Sequence, residues 1–354
     1  MINATVTIAV VPRERFSHTA ATLESIYEHT PQPFELVWVD GGSPARVARY
    51  LRKQASARGF KLLRTDRYLS PNEARNLAIE GVTTEYLVFV DNDVLVTPGW
   101  LDWLVSCADE TKAWIVGPLT LNGQDGTDLI HHAGGELGIQ ETEVGGRLTT
   151  ERHFPDKRLR DVGPLERRRT ATTEFHCVLV RSELFRQVGK LDELLLSMFE
   201  EIDLCLAASE AGGDIYFEPR AVVSYVPVPP FALSDLPYYL LRWSEDWNET
   251  SLRRFQEKWG LIADDPYSCG ARAWATEYRQ SPLWQLRPLV DRFTDGRSYW
   301  IERRLLAPLE AKIGSCVARW ADRNAGDRRV SAADARSRKK DFFPPARPRV
   351  DSAF

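Results

Sequence analysis

Apolar runs of four to six residues alternate with helical patterns through the first hundred positions of the chain. The run at Val6–Val11 predicts a strand, Thr19–His29 a helix, Glu35–Val39 a strand, Pro44–Arg58 a helix and the stretch near Lys61–Arg64 a strand. Helix Pro71–Gly81 and strand Tyr86–Val90 follow. The strands are almost continuously apolar, as in LVWV and YLVFV, which is how strands read when both faces of a parallel sheet are covered by helices. In such sheets ligands bind beyond the carboxyl ends of the strands. Three strands here end abruptly in polar residues, at Arg13-Glu14-Arg15, Asp40-Gly41-Gly42 and Asp91-Asn92-Asp93.

Beyond Trp100 the pattern loosens. It predicts a helix at Trp100–Cys107, a strand at Trp114–Gly117, a Gly-rich hairpin or loop across Asn122–Gly146, and a strand at Glu174–Arg181. Helices at Ser182–Val188 and Glu201–Ala211 and two strands, Asp214–Phe217 and Ala221–Tyr225, follow. After the Pro-rich Pro227–Pro230 the chain turns helical and Trp-rich, with helices expected at Leu236–Trp247, Glu249–Trp259 and around Ser298–Trp320. The division expected is a catalytic domain over 1–230, split at about residue 95 into nucleotide-binding and acceptor-binding halves, a helical region over 231–325, and a disordered basic tail over 326–354.

Composition narrows the class. The chain has 354 residues, 43% hydrophobic and 27% charged, as in ordinary soluble globular proteins. No apolar run reaches the roughly 18 residues of a spanning helix, and the first residues read as a strand instead of a signal peptide. Five cysteines, odd in number and without a CxxC pair, indicate neither a disulfide framework nor a zinc knuckle, so a reducing cytoplasm is expected. The net charge of −4 conceals an acidic body of −8 over residues 1–320 and a tail of +4. Nothing in this pattern calls for nucleic acid. The basic segment Lys157–Arg169 and the tail are candidates for peripheral contact with anionic lipid at the inner face of a membrane, although solvated charge is the simpler reading.

Two carboxylate clusters carry candidate chemistry. Asp91 and Asp93, one residue apart after an apolar strand, project to one side and make a hard-oxygen site for Mg²⁺ or Mn²⁺. Glu200-Glu201-Ile202-Asp203 stands at a helix start, where acids also complement the helix dipole.

From Thr7 to Tyr225 the segments TIAVVPRER, ESIYEHT, ELVWVDGGSP, NEARNLAIEGVTTEYLVFVDNDVLVTPGWL, FHCVLVRSELFRQVGKLDE and FEEIDLCLAASEAGGDIYFEPRAVVSY occur in family order. The sequence thereby resembles the family 2 glycosyltransferases of the α/β GT-A fold. These transfer a sugar from a nucleotide-diphosphate donor with inversion, with the help of a divalent metal. The resemblance implies that Pro12, Arg13 and Glu14 sit where the base and ribose are held, although the family's Tyr-Asn wording is absent there. It implies that Asp40 contacts the uracil or ribose, with Gly41 permitting close approach. Arg75 would face the diphosphate, with Asn76 orienting the same loop. Asp93 would bind the metal, with Asp91 and Asn92 nearer the ribose or a bridging water. Glu201 matches the general base, Glu200 would bind an acceptor hydroxyl, and Asp203 would support the loop.

One position departs from the family: where a His commonly completes the metal shell, this chain has Tyr225. Waters complete the shell, another residue substitutes, or affinity falls; His131 and His132 are candidate substitutes or acceptor contacts, and His176 is expected half-buried near the acceptor. The aromatic residues Tyr238, Tyr239, Trp243, Trp247 and Trp259 read as packing. The expected activity is transfer from a nucleotide sugar, UDP-linked, to a glycan or lipid-linked saccharide hydroxyl in polysaccharide synthesis. A catalytically impaired nucleotide- or sugar-binding module, prompted by Tyr225, and another nucleotide-dependent α/β transferase stay open as alternatives.

Overall fold

The computed structural model describes residues 5–123, 128–226, 232–284, 287–294 and 298–324. The basic tail expected to be disordered and the Pro-rich segment after Val226 lie outside these residues.

The first half alternates as its sequence predicts: β1 (Val6–Val11), α1 (Thr19–His29), β2 (Glu35–Gly41), α2 (Ala45–Arg58), β3 (Lys61–Thr65), α3 (Pro71–Ile79) and β4 (Tyr86–Asp91). The four strands are parallel in the order β3-β2-β1-β4, with Val11 level with Asp91. Successive side chains point to opposite faces. Val6, Ile8 and Val10 therefore meet α1 and α2 through Leu23, Ile26 and Leu51, whereas Ala9 and Val11 meet α3 through Ala74 and Ala78.

The second half departs from a purely parallel sheet. After β5 (Val94–Val96) and α4 (Trp100–Thr111) come β6 (Ile115–Asn122), β7 (Leu129–His132), the separate hairpin β8 (Gly135–Thr142) and β9 (Gly145–Arg152), β10 (Arg168–Thr170) and β11 (Cys177–Arg181). Helices α5 (Glu183–Val188) and α6 (Glu200–Glu210) precede β12 (Ile215–Tyr225). Among the described residues these strands extend the sheet to ten, in the order β10-β12-β6-β11-β4-β1-β2-β3, with β5 paired to β12 and β7 to β6. β11 runs antiparallel to both β4 and β6. The Gly-rich stretch after Asn122 is thus strand-rich.

β12 is one strand where two are expected. Its pairing with β6 shifts between Glu218 and Val222, so the Glu-Pro-Arg interruption is a bulge. Buried Glu218 is held there by Arg167 at 2.5 Å and Arg220 at 2.8 Å. The helices α7 (Leu236–Arg242) and α8 (Glu245–Trp259) break at Ser244, whose hydroxyl accepts the Trp247 N–H and caps α8. A further helix, α9 (Pro266–Arg279), is started by Asp265, which accepts the Ser268 N–H. Helical segments continue at Ser281–Trp284, Arg287–Thr294, Ser298–Ile301 and Ala307–Asn324. Tyr239, Trp243, Leu252 and Phe255 of this layer pack on Phe199, which precedes α6, and on Ile202 and Leu206 within it. None of the described helices is long and apolar enough to cross a membrane.

Where β2 turns toward α2, Gly42 has φ 71°, and a Cβ there would stand 2.8 Å from the Arg67 backbone. Only glycine fits both conditions without strain. Gly42→Ala is expected to lower unfolding free energy by about 1–3 kcal/mol, seen as a lower denaturant midpoint; an unchanged midpoint would mean that the turn relaxes freely.

Candidate functional site

The parallel register aligns the carboxyl ends of β1, β2 and β4, and the polar residues that follow them gather at one edge of the sheet. Asp91 lies at its centre. Its carboxylate is fully buried and is approached by Arg13 Nη1 at 3.4 Å, Arg75 Nη2 at 3.3 Å and His176 Nδ1 at 3.4 Å. Burial alone would raise its pKa, but His176, Arg13 and Arg75 together hold it below the usual carboxylate range.

Arg75 reaches this position because α3 starts cleanly. Ser70 and Glu73 form a reciprocal capping box and Pro71 occupies the first turn. The Arg75 guanidinium lies 3.6 Å over the Phe175 ring, and its Nη1 donates to Asn72 Oδ1 at 3.2 Å. The expected diphosphate-facing arginine is therefore a buried partner of Asp91. Asn76 ties α3 to the segment after α5 through Leu191 and Glu193.

Asn92 uses its whole amide on the β1 loop, accepting Arg13 N–H at 3.0 Å and donating to the Arg15 carbonyl at 2.7 Å. Glu14 is buried and accepts hydrogen bonds from Tyr225 at 3.2 Å and Tyr278 at 3.1 Å. Pro12 and Gly41 pack together: a Cβ on Gly41 would stand 3.2 Å from Pro12 and from Leu69. Asp40 accepts the Ser43 N–H at 3.0 Å and is ion-paired with Arg64. It has the turn-capping role available to an Asp in that setting, within the same strand-end row. The loop after β1 is also held from far along the chain, since Asp235 accepts the Phe16 and Ser17 N–H groups at 3.0 and 3.1 Å.

Asp93 differs from Asp91. It is fully buried, and among the described residues neither carboxylate oxygen has a hydrogen-bond partner and the nearest cation is Arg15 Nε at 3.9 Å. Burial pushes its pKa up to about 8, with Arg15 offsetting the shift only in part and Glu14 and Asp91 adding to it. A buried carboxylate with both oxygens unsatisfied fits a cation partner. The divalent ion implied by the family resemblance therefore suits Asp93 better than Asp91, whose oxygens already face three nitrogens.

The second carboxylate cluster begins α6, entered through Phe199 in a left-handed conformation with φ 68°. Glu200 pairs with Arg242 at 3.3 Å, and Asp203 accepts from Lys258 at 2.7 Å and Trp259 at 2.9 Å. Both thus face the helical layer. Glu201 is only partly exposed, and burial together with the charge of Glu200 raises its pKa to about 7. It also lies within electrostatic reach of Glu174 and Arg13.

His176, expected half-buried, is 2% exposed. Burial, reinforced by Arg13, lowers its pKa to about 3 and keeps the imidazole neutral. It stacks on Tyr225 with ring centroids 4.1 Å apart, and its Nε2 is 3.2 Å from His131 Nε2. His131 also lies 2.8 Å from Glu174. His132 is a core residue, contacting Thr172 at 3.2 Å and accepting the Gly134 N–H at 3.3 Å. The basic segment is largely matched by acids: Arg158 and Arg160 meet Asp128, Arg167 meets Glu110 and Glu218, and Arg169 meets Asp214. The aromatic residues expected to pack do so; Tyr238, Tyr239, Trp243 and Trp247 are buried.

A parallel first half, a mixed second half and an Asp-x-Asp turn between them define the GT-A class of fold. A solved structure of GalNAc-T7 with UDP, GalNAc and Mn²⁺ matches it with a TM-score of 0.50 at 17% identity, over 77% of this chain and 56% of that one. Residues 8–189 match the model of glycosyl transferase family 2, and the chain belongs to that family. Among curated relatives, the pre-mycofactocin glycosyltransferase of Mycobacterium tuberculosis is 27% identical over 160 residues, 44% of this chain and 30% of the relative. Polypeptide N-acetylgalactosaminyltransferase 15 of Mus musculus is 26% identical over 255 residues, 68% of this chain and 40% of the relative. The matched stretch spans less than half the length of either relative.

Asp93 makes stability pH-dependent. Its folded pKa of about 8 lies above the ordinary carboxyl value, so the native state takes up a proton and loses stability as pH rises from roughly 4 to 8. In metal-free buffer, Asp93→Asn is expected to flatten that slope in thermal unfolding. An equally steep slope in the variant would remove this account of the carboxyl group.

Proposed function

We propose that the protein is an inverting glycosyltransferase that moves a sugar from a nucleoside-diphosphate sugar to an acceptor hydroxyl. The observation that carries this reading is the pairing of two unlike carboxylates within a family 2 chain. Asp93 is buried and unsatisfied, as a cation ligand would be, whereas Glu201 is partly exposed with a pKa raised to about 7, as a general base would be. The curated relatives are named as glycosyl and N-acetylgalactosaminyl transferases, which agrees with a sugar donor. UDP is the nucleotide proposed, since the similar solved structure is a complex with UDP, GalNAc and Mn²⁺.

In this reading Pro12, Asp40 and Gly41 border the base and ribose. Asp93 holds Mn²⁺ or Mg²⁺, with Asp91 beside it, and the ion supplies charge neutralisation for the departing diphosphate. Arg13 and Arg75 keep Asp91 ionised and bring two positive charges to the donor side. Glu201 takes the proton of the acceptor hydroxyl, whose oxygen attacks the anomeric carbon from the face opposite the diphosphate. The bond from that carbon to the diphosphate breaks, the nucleoside diphosphate leaves, and the configuration inverts without a covalent enzyme intermediate. Glu200, held by Arg242, borders the acceptor, and Asp203 positions the start of α6 through Lys258 and Trp259. A glycan or lipid-linked saccharide is the proposed acceptor class, in polysaccharide assembly.

A base with a pKa of about 7 works unprotonated. Transfer is therefore expected to rise through pH 7 and level off above it. Glu201→Gln is expected to reduce transfer by about 10²–10⁴-fold, abolish that rise and leave UDP binding by calorimetry intact. Full activity in this variant would overturn the assignment of the base. Separately, Asp93→Ala is expected to abolish Mn²⁺-dependent UDP binding, and the product released should be the nucleoside diphosphate; release of pyrophosphate would instead indicate nucleotidyl transfer.

A further inference from the structure

Three side chains outside the proposed donor contacts converge on one point. His131 lies in β7, Glu174 just before β11, and His176 immediately ahead of its first residue. His131 Nε2 is 2.8 Å from Glu174 Oε2, His176 Nε2 is 3.5 Å from the same oxygen, and the two Nε2 atoms are 3.2 Å apart. An ion bonded to nitrogen and oxygen at about 2.0–2.2 Å, in tetrahedral or octahedral geometry, separates neighbouring donors by about 2.9–3.5 Å. The triangle matches that spacing closely.

Counting protons points the same way. His176 Nδ1 lies 3.4 Å from the Asp91 carboxylate, outside good hydrogen-bond geometry but close enough for that negative charge to favour the proton on Nδ1, the tautomer that leaves the lone pair on Nε2. That lone pair stands against Glu174 Oε2 and His131 Nε2. Glu174 Oε2 is buried and, among the described residues, has no hydrogen bond of acceptable geometry, although a ring nitrogen lies 2.8 Å away. Three electron-rich atoms thus share too few protons, and a cation between them would satisfy all three. The contact of His176 with Asp91 supplies the carboxylate behind the imidazole that commonly orients a metal-binding histidine. Glu174 and His131 are each about one-fifth exposed, so the cluster opens toward solvent on one side.

We propose that His131, Glu174 and His176 bind a divalent transition-metal ion of the Zn²⁺ or Co²⁺ kind, with at least one coordination position open to water or a substrate oxygen. Two imidazoles and one carboxylate favour such an ion over Mg²⁺, which prefers oxygen donors. The site is separate from Asp93. It stands whether or not the group transferred is a sugar, because it rests on the ligand triangle alone. Tyr225 closes one side of it by stacking on His176. The imidazoles here come from β7 and the approach to β11 instead of from the end of β12.

The test uses the full chain, stripped of metal, and Co²⁺ as the probe in the absence of nucleotide. One Co²⁺ per chain should bind, with a visible absorption band and displacement by Zn²⁺. His131→Ala should weaken binding by at least about tenfold, and the isosteric Glu174→Gln should do the same, with native circular dichroism in both. Asp93→Asn should bind Co²⁺ like wild type while losing Mn²⁺-dependent UDP binding, which separates this site from the proposed donor site. Absence of Co²⁺ binding, unchanged binding in both folded triad variants, or its loss in Asp93→Asn would overturn the proposal.

Discussion

A carboxylate that is 0% exposed cannot remain ionised without compensation, and the strand-end site is organised around supplying it to Asp91. Arg13 comes from the end of β1, Arg75 from α3 and His176 from the approach to β11. Each contact joins β4 to a different element, so one charge fixes how the helix and the antiparallel strand sit on the parallel half. Removing the carboxylate would leave the buried guanidinium of Arg75 and the partly buried one of Arg13 without their shared anion, which is costlier than the loss of a single ion pair. Asp93, two residues on, has among the described residues only the longer 3.9 Å approach of Arg15 Nε. That contrast, more than the Asp-x-Asp spacing, distinguishes a residue holding the scaffold from one available to a cation.

The same division runs through the second acidic cluster. Glu200 is matched by Arg242 and Asp203 by Lys258 and Trp259, all from the helical layer. Glu201, between them, makes no ion pair among the described residues, and burial together with the charge of Glu200 raises its pKa to about 7. In the proposed mechanism, acids held by cations on either side keep the first turn of α6 in place around the one carboxylate assigned as the base. The helical layer thereby restrains both neighbours of Glu201.

The strands of the first half were legible because continuous burial on two faces leaves an unmistakable apolar run, as in β1 and β4. The bulge in β12 was not, because Glu218-Pro219-Arg220 looks like a break until Arg167 and Arg220 are seen to neutralise the buried glutamate. Helix α9 was not singled out, since its small and polar residues blur the apolar period and its start depends on the Asp265 cap. In the site, the strand-end carboxylates could be found from their placement, but not that Asn92 is engaged by main chain or that Glu14 bonds Tyr225 and Tyr278. Likewise His131, Glu174 and His176 become neighbours only through β7 and β11. Pairings across such separations leave no local pattern in the chain.

Asp235 has a consequence for the order in which the protein can be made. It closes the loop after β1 from 219 residues downstream of Phe16, and Tyr278 reaches Glu14 from still further along. During synthesis from the N-terminus, the parallel half can emerge and begin to pack long before either partner exists. The loop that borders the proposed nucleotide site would then wait, with its amides in water, until the helical layer arrives. Acquisition of a finished site is thus tied to completion of the chain's later third, giving the nascent protein a built-in delay between having a fold and having a function.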